Sequence, residues 1–163
     1  MTRLFTFYFL CIIFGSACGQ NKPENLVAKN KTSKKSFLNF DTSKIAIFNV
    51  ETDLWLSEKF DNAKPFSFSN TDLKNIDEIF SKCVNQNNIN PSYFYYKRQY
   101  VPFIDKSGQK KVWINCFCSD FYNNCPDWKK SLVFVDDGGS CFFKFIINLT
   151  DKSFSNFEVN GLG

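Results

Sequence analysis

The strongest constraint on how this chain folds is one segment with helical period. Leu73, Ile76, Phe80, Cys83 and Val84 recur at three- and four-residue spacings, the pattern of an amphipathic helix running from about Asn70 to Gln86. Asn70 or Thr71 can cap its start, and Asp72 and Asp77 lie toward its positive end. The NQNNINP stretch stops it, because Asn is a poor helix former and Asn90 before Pro91 is pushed out of the helical region. A helix with one apolar stripe must bury that stripe against another layer. The only large apolar surface the remaining sequence offers is a sheet.

Strand patterns surround the helix. KIAIFNV (44–50) is a short strand with apolar residues on both sides. Residues 51–70 mix aromatic and polar residues around Pro65 without a period and read as a loop or irregular crossover, with Trp55, Phe60, Phe66 and Phe68 capping the core. YFYYKRQYVPFI (93–104), the turn Asp105-Lys106-Ser107-Gly108 and KVWINCFC (111–118) form a hairpin, in which Pro102 marks a sheet edge or bulge. A loop over 119–130 follows. Segments 132–135 and 141–149 are strand-like around Asp136-Asp137-Gly138-Gly139, either a tight hairpin turn or a glycine bulge in one long strand, and 154–159 is a closing edge strand. The fold class expected is α+β: one amphipathic helix packed on a twisted antiparallel sheet in the order β-α-β-β-β-β. That order, over residues 44–160, resembles the cystatin-like architecture, but no cystatin inhibitory motif accompanies it, so the likeness carries no function.

The N-terminus reads as an export signal over residues 1–17: Arg3, an apolar run from Leu4 to Phe14, then Gly15, Ser16 and Ala17. Eleven apolar residues rise about 16 Å as a helix, short of the roughly 30 Å needed to span a bilayer. Gly15-Ser16-Ala17-Cys18 resembles the lipobox of bacterial lipoproteins, which implies an acylated Cys18 at the head of the mature chain. Gly15 and Ala17 also fit ordinary signal cleavage, which would give a soluble secreted protein instead. The polar, Lys/Asn-rich stretch over 18–43 favours the anchor, as a flexible tether to a single domain over 44–163.

Composition then removes whole classes of function. Histidine is absent, which eliminates imidazole metal ligands and every Ser-His or Cys-His nucleophile. A net charge of +4 is too small for a phosphate-backbone binder, so no nucleic acid partner is expected. Export makes cysteines disulfide candidates first. Cys11 leaves with the signal. Cys116, Cys118, Cys125 and Cys141 crowd together, without the paired C-x(2–4)-C knuckles of structural zinc. Cys116 and Cys118 share a strand face and must look elsewhere for partners. Cys118 with Cys125 and Cys116 with Cys141 is the favoured choice among three pairings, with Cys83 left free. No cofactor or metal is expected.

Two further sets carry functional readings. Tyr93, Tyr95, Lys97, Arg98 and Tyr100 place aromatic rings beside cations on one strand, a candidate interaction surface for an envelope protein or peptide; the plainer reading packs the rings in the core and turns the cations to solvent. Asp136 and Asp137 before two glycines read as a turn rather than a calcium loop.

The motifs YKRQY (96–100), WINCFC (113–118), VDDGGSCFF (135–143) and VNG (159–161) resemble a group of small exported lipoproteins of Bacteroidota, over roughly residues 92–163. The resemblance implies a bacterial lipoprotein and brings no activity or binding residue with it. The expectation is a non-enzymatic binding module, exported and lipid-anchored in the cell envelope through Cys18. The alternative is a small ligand carrier or enzyme with a pocket between helix and sheet, where Asp77 or Glu78 would serve as acid or base.

Overall fold

The strand-like segments after Pro91 become four strands of a six-stranded sheet that carries α2 on one face. The computed structural model describes residues 42–51, 54–61, 63–89, 96–119, 121 and 127–162. All belong to the compact unit Lys31–Gly163. The elements are β1 (Ile45–Ile47), α1 (Leu54–Lys59), β2 (Lys64–Pro65), α2 (Asn70–Gln86), β3 (Tyr96–Ile104), β4 (Lys110–Cys118), β5 (Phe142–Asn148) and β6 (Ser153–Val159). The protein is α+β, as expected. Strand order is β1-β3-β4-β5-β6, with β2 also against β3. Every pairing is antiparallel except β1 with β3, which is parallel because α2 intervenes and carries the chain back.

Local chemistry explains the joints. The N-cap of α2 is Ser69, one residue before the expected Asn70 or Thr71, because Ser69 and Asp72 form a capping box: Ser69 Oγ accepts from Asp72 N at 3.1 Å and Asp72 Oδ2 accepts from Ser69 N at 2.9 Å. The hairpin closes as predicted at Asp105, whose carbonyl accepts from Gly108 N at 2.9 Å, with Gly108 at φ 79°. Pro102, which has no N–H, sits where the β3 edge changes partner: β1 pairing ends at Tyr100 and β2 pairing begins at Phe103.

The main core lies between α2 and the sheet. Leu73, Ile76, Ile79, Phe80, Cys83 and Val84 of the helix meet Tyr96, Tyr100, Val112, Ile114, Cys116, Phe143, Phe145 and Ile147. The alternate residues of the same strands are buried too. Val101, Phe103 and Trp113 pack with Val50, Leu56 and Ala63, while Phe117 and Phe142 pack with Ala46, Trp128 and Val133. The second face is therefore covered by the segments after β1 and before β5.

That covering corrects two expectations. Residues 51–70 are not only loop, for they hold α1 and β2; α1 is six residues long and, among its described side chains, Leu56 alone is fully buried, too little to show a period. Residues 132–135 join no sheet edge, so Asp136-Asp137-Gly138-Gly139 is neither hairpin turn nor strand bulge. It leads through a 3-10 turn at Gly139–Cys141 into β5. Gly138, at φ 93°, has no room for a side chain: a Cβ there would meet the Phe142 ring at 2.5 Å.

The disulfide also differs from expectation. Cys118 is bonded to Cys141, with Cα atoms 5.1 Å apart, and Cys116 is a free, buried thiol. Register decides this. β4 and β5 pair Phe117 with Phe142 and Cys116 with Phe143, so the next pair along is Cys118 with Cys141. Cys83 is free and buried, as expected. Cys125, with its expected bond to Cys118, lies outside the described residues, as do Cys18 and the leader and tether up to Asp41.

Candidate binding cleft

Two amide side chains are buried in mid-strand on the second face, Gln99 on β3 and Asn115 on β4. Burial of an amide is tolerated only when its hydrogen bonds are made. Gln99 Nε2 donates to the carbonyls of Trp128 at 2.6 Å and Ser131 at 2.8 Å, and its Oε1 accepts from Val133 N at 2.9 Å. Asn115 Nδ2 donates to Gln99 Oε1 at 3.0 Å and to Val133 O at 2.7 Å. Side chains thus supply the pairing that a neighbouring strand would give, and they latch residues 128–133 flat on the sheet.

With Val133 turned inward, the next residue of the extended chain turns outward, and Phe134 is 58 % exposed. It meets Trp55, itself 41 % exposed, edge to face at 4.7 Å. Trp55 is held from behind by Trp113 at 5.8 Å and covered in part by Lys59 Nζ, 4.8 Å from its ring centre. Asn160, just after β6, ties the far end of the segment: its Nδ2 donates to Val135 O and, at 3.1 Å, to Asp137 O. Lys144 on β5 pairs with Glu158 on β6 at 3.1 Å. Together Trp55, Trp113, Asn115, Phe134, Lys144 and Asn160 line a shallow cleft of about 70 Å³.

The residues anticipated from sequence fall elsewhere. Arg98 and Tyr100 lie inside the main core and do not form a contact surface. The Arg98 guanidinium rests 5.1 Å from the Phe80 ring and 3.6 Å from Asp77 Oδ1. Lys97 is half-buried, with Nζ 5.4 Å from the Trp128 ring and 3.4 Å from Ser43 O. Tyr93 and Tyr95 lie outside the described residues. Glu78 is exposed and 3.9 Å from Lys74, and Asp136 and Asp137 are exposed. Burial raises the Asp77 carboxyl above its ordinary value, against the pull of Arg98. Asp77 is half-buried beside Arg98, whose guanidinium lies in the packed core between α2 and the sheet.

Two thiols of the core are held neutral. Burial pushes the Cys83 thiol up to about 12 despite a hydrogen bond from Asn87, and burial drives Cys116 upward as well. Among the described residues, no three Cys, Asp or Glu side chains converge as a metal-ligand set, and no helix is long and apolar enough to cross a membrane.

Sequence patterns missed the cleft because its two exposed rings, Trp55 and Phe134, sit in segments without periodicity. Asn115 was the available signal, a polar residue inside the inward-facing run of WINCFC. No protein-family model, curated protein or solved structure matches the chain, so its function is read from its own residues.

Proposed function

We propose that this protein is a non-catalytic binding module of the bacterial envelope, tethered to the membrane by lipid on Cys18, and that it meets its partner through the cleft of Trp55 and Phe134. The observation that carries the reading is the exposure of two large aromatic rings that interior packing could have absorbed, held in fixed orientation by each other and by a buried amide latch. Rigid, exposed aromatic side chains provide contact area at low ordering cost. The anchor is supported by the Leu4–Phe14 run and Gly15-Ser16-Ala17-Cys18. Two or three acyl chains would be needed for stable attachment, since one binds only marginally. The non-catalytic part draws support from Asp77, paired with Arg98, and Glu78, exposed on α2 within 3.9 Å of Lys74, so that both carboxylates are engaged in ion pairs.

Two measurements test this. Cys18→Ser should move the protein from the membrane fraction to the soluble fraction and abolish incorporation of labelled palmitate; retention with label would refute the anchor. Cross-linking in the envelope of the native host should capture a partner that Trp55→Ala and Phe134→Ala each lose while circular dichroism is unchanged. Equal capture by both variants would refute the cleft.

A further inference from the structure

Resting on that reading of the cleft, we infer that its ligand is a neutral, hydroxyl-rich ring, the exposed face of a saccharide. Asn115 commits both hydrogens of its amide nitrogen to Gln99 Oε1 and Val133 O, so the group it can present to the cleft is its carbonyl oxygen. Asn160 commits its amide hydrogens to Val135 O and Asp137 O and presents a carbonyl oxygen likewise. Lys144, with one contact to Glu158, retains ammonium hydrogens to donate. The cleft thus combines two acceptors and a cationic donor with the apolar walls of Trp55, Trp113 and Phe134.

Charge narrows the occupant. An anionic ligand could approach Lys59 and Lys144, but Lys144 is already engaged by Glu158 and two carbonyl oxygens would oppose the added charge. A cationic ligand would be repelled by the like charges of Lys59, beside Trp55, and Lys144, in the lining. Lys144 and Glu158 largely neutralise one another, which fits an uncharged ligand. A wholly apolar ligand would desolvate both carbonyl oxygens without giving them partners. A sugar ring meets every condition: its hydroxyls both donate and accept, and the C–H bonds on its face lie flat on an indole or phenyl ring. At about 70 Å³ the cleft receives the edge and face of a ring instead of enclosing it, the geometry for one residue of a longer chain.

The test is titration of the purified protein with cellohexaose, chitohexaose, maltohexaose and xylohexaose, read by tryptophan fluorescence and by shifts of the side-chain amide resonances of Asn115 and Asn160. At least one hexaose should bind in the millimolar range or tighter, and Trp55→Ala should weaken it at least about tenfold, equivalent to roughly 1.4 kcal/mol. Phe134→Ala should weaken it as well, and Trp55→Phe should retain part of the affinity. Silence from all four sugars overturns the saccharide assignment, as does binding indifferent to Trp55→Ala and Phe134→Ala. If short peptides shift the same resonances in a Trp55-dependent way while the sugars do not, the ligand class is overturned and the cleft remains a protein-contact surface. Silence from sugars and peptides, together with unchanged envelope capture by the variants, overturns the cleft itself.

Discussion

Replacing Gln99 with Leu removes one amide of nearly the same size and strands the groups it serves. The Trp128 carbonyl and the Val133 N–H lose bonds of 2.6 and 2.9 Å in buried surroundings, and Ser131 O loses one of 2.8 Å in a half-buried one. Asn115 keeps its bond to Val133 O and loses the one to Gln99 Oε1. A buried group left unpaired costs about 1–3 kcal/mol, so two such groups and one partial case give a loss of roughly 3–5 kcal/mol. That is a large share of a typical total of about 5–15 kcal/mol. In a domain of this size the midpoint temperature should fall by roughly 10–20 °C. Urea unfolding followed by tryptophan fluorescence and by far-ultraviolet circular dichroism is the assay. Trp128 lies beside the latch, so its emission reports on the latch while circular dichroism reports on the backbone, and coincidence of the two transitions licenses the two-state free energies. Asn115→Leu should cost a similar amount, and the double variant should cost less than the two singles together by at least about 1 kcal/mol, since both serve one network. A loss under about 1 kcal/mol for Gln99→Leu, or strict additivity in the double variant, would refute the latch.

Other consequences follow from particular groups. Ser69→Ala breaks the capping box and should lower stability by about 1 kcal/mol, read as a shift in the urea midpoint. Burial alone would raise the Asp72 carboxyl, but hydrogen bonds from Ser69 and the charge of Lys110 outweigh it and hold it below its ordinary value; its stabilisation is therefore present at neutral pH and lost as the pH falls through the folded value, and Asp72→Asn should flatten that acid limb in a pH series of unfolding curves. The Cys83 and Cys116 thiols have the opposite sign: their folded values lie above the ordinary value near 9, so stability is whole below that pH and falls above it, by about 1.4 kcal/mol per pH unit for each thiol. Both should also resist iodoacetamide at pH 8 until denaturant is added, with peptide mapping to locate the label. Reduction of Cys118–Cys141, which closes a loop of sequence separation 23, should cost roughly 3 kcal/mol, measured as the fall in the urea midpoint on adding reductant.

What could be read from the sequence divides along a physical line. Elements whose residues repeat at a fixed spacing were legible: α2 from its stripe, the β3–β4 hairpin from its alternation and turn, β6 from its closing alternation. Pro102 was legible as a marker of an edge, because a missing N–H has the same meaning in any strand. The cysteine pairing was not, since Cys116 and Cys118 present the same face and only the inter-strand register separates them. Arg98 and Tyr100 misled in a similar way. Alternation points their side chains to one face but does not say that the face is the helix-covered one, where Arg98 is kept by Phe80 and Asp77.

The same distinction explains why the cleft escaped notice and why it forms where it does. A sheet with a helix on one face needs a cover for the other, and this chain supplies it with two aperiodic segments, 48–63 and 128–135. An aperiodic cover cannot be fixed by apolar contact alone, because apolar contact does not choose between nearby registers. Gln99 and Asn115 make the choice by pairing with named backbone atoms of Trp128, Ser131 and Val133. Once Val133 is fixed inward, Phe134 has nowhere to go but out, against Trp55. The exposed rings are thus a consequence of the buried amides, so a change at Gln99, whose side chain is not part of the cleft lining, should weaken whatever binds there before it unfolds the domain.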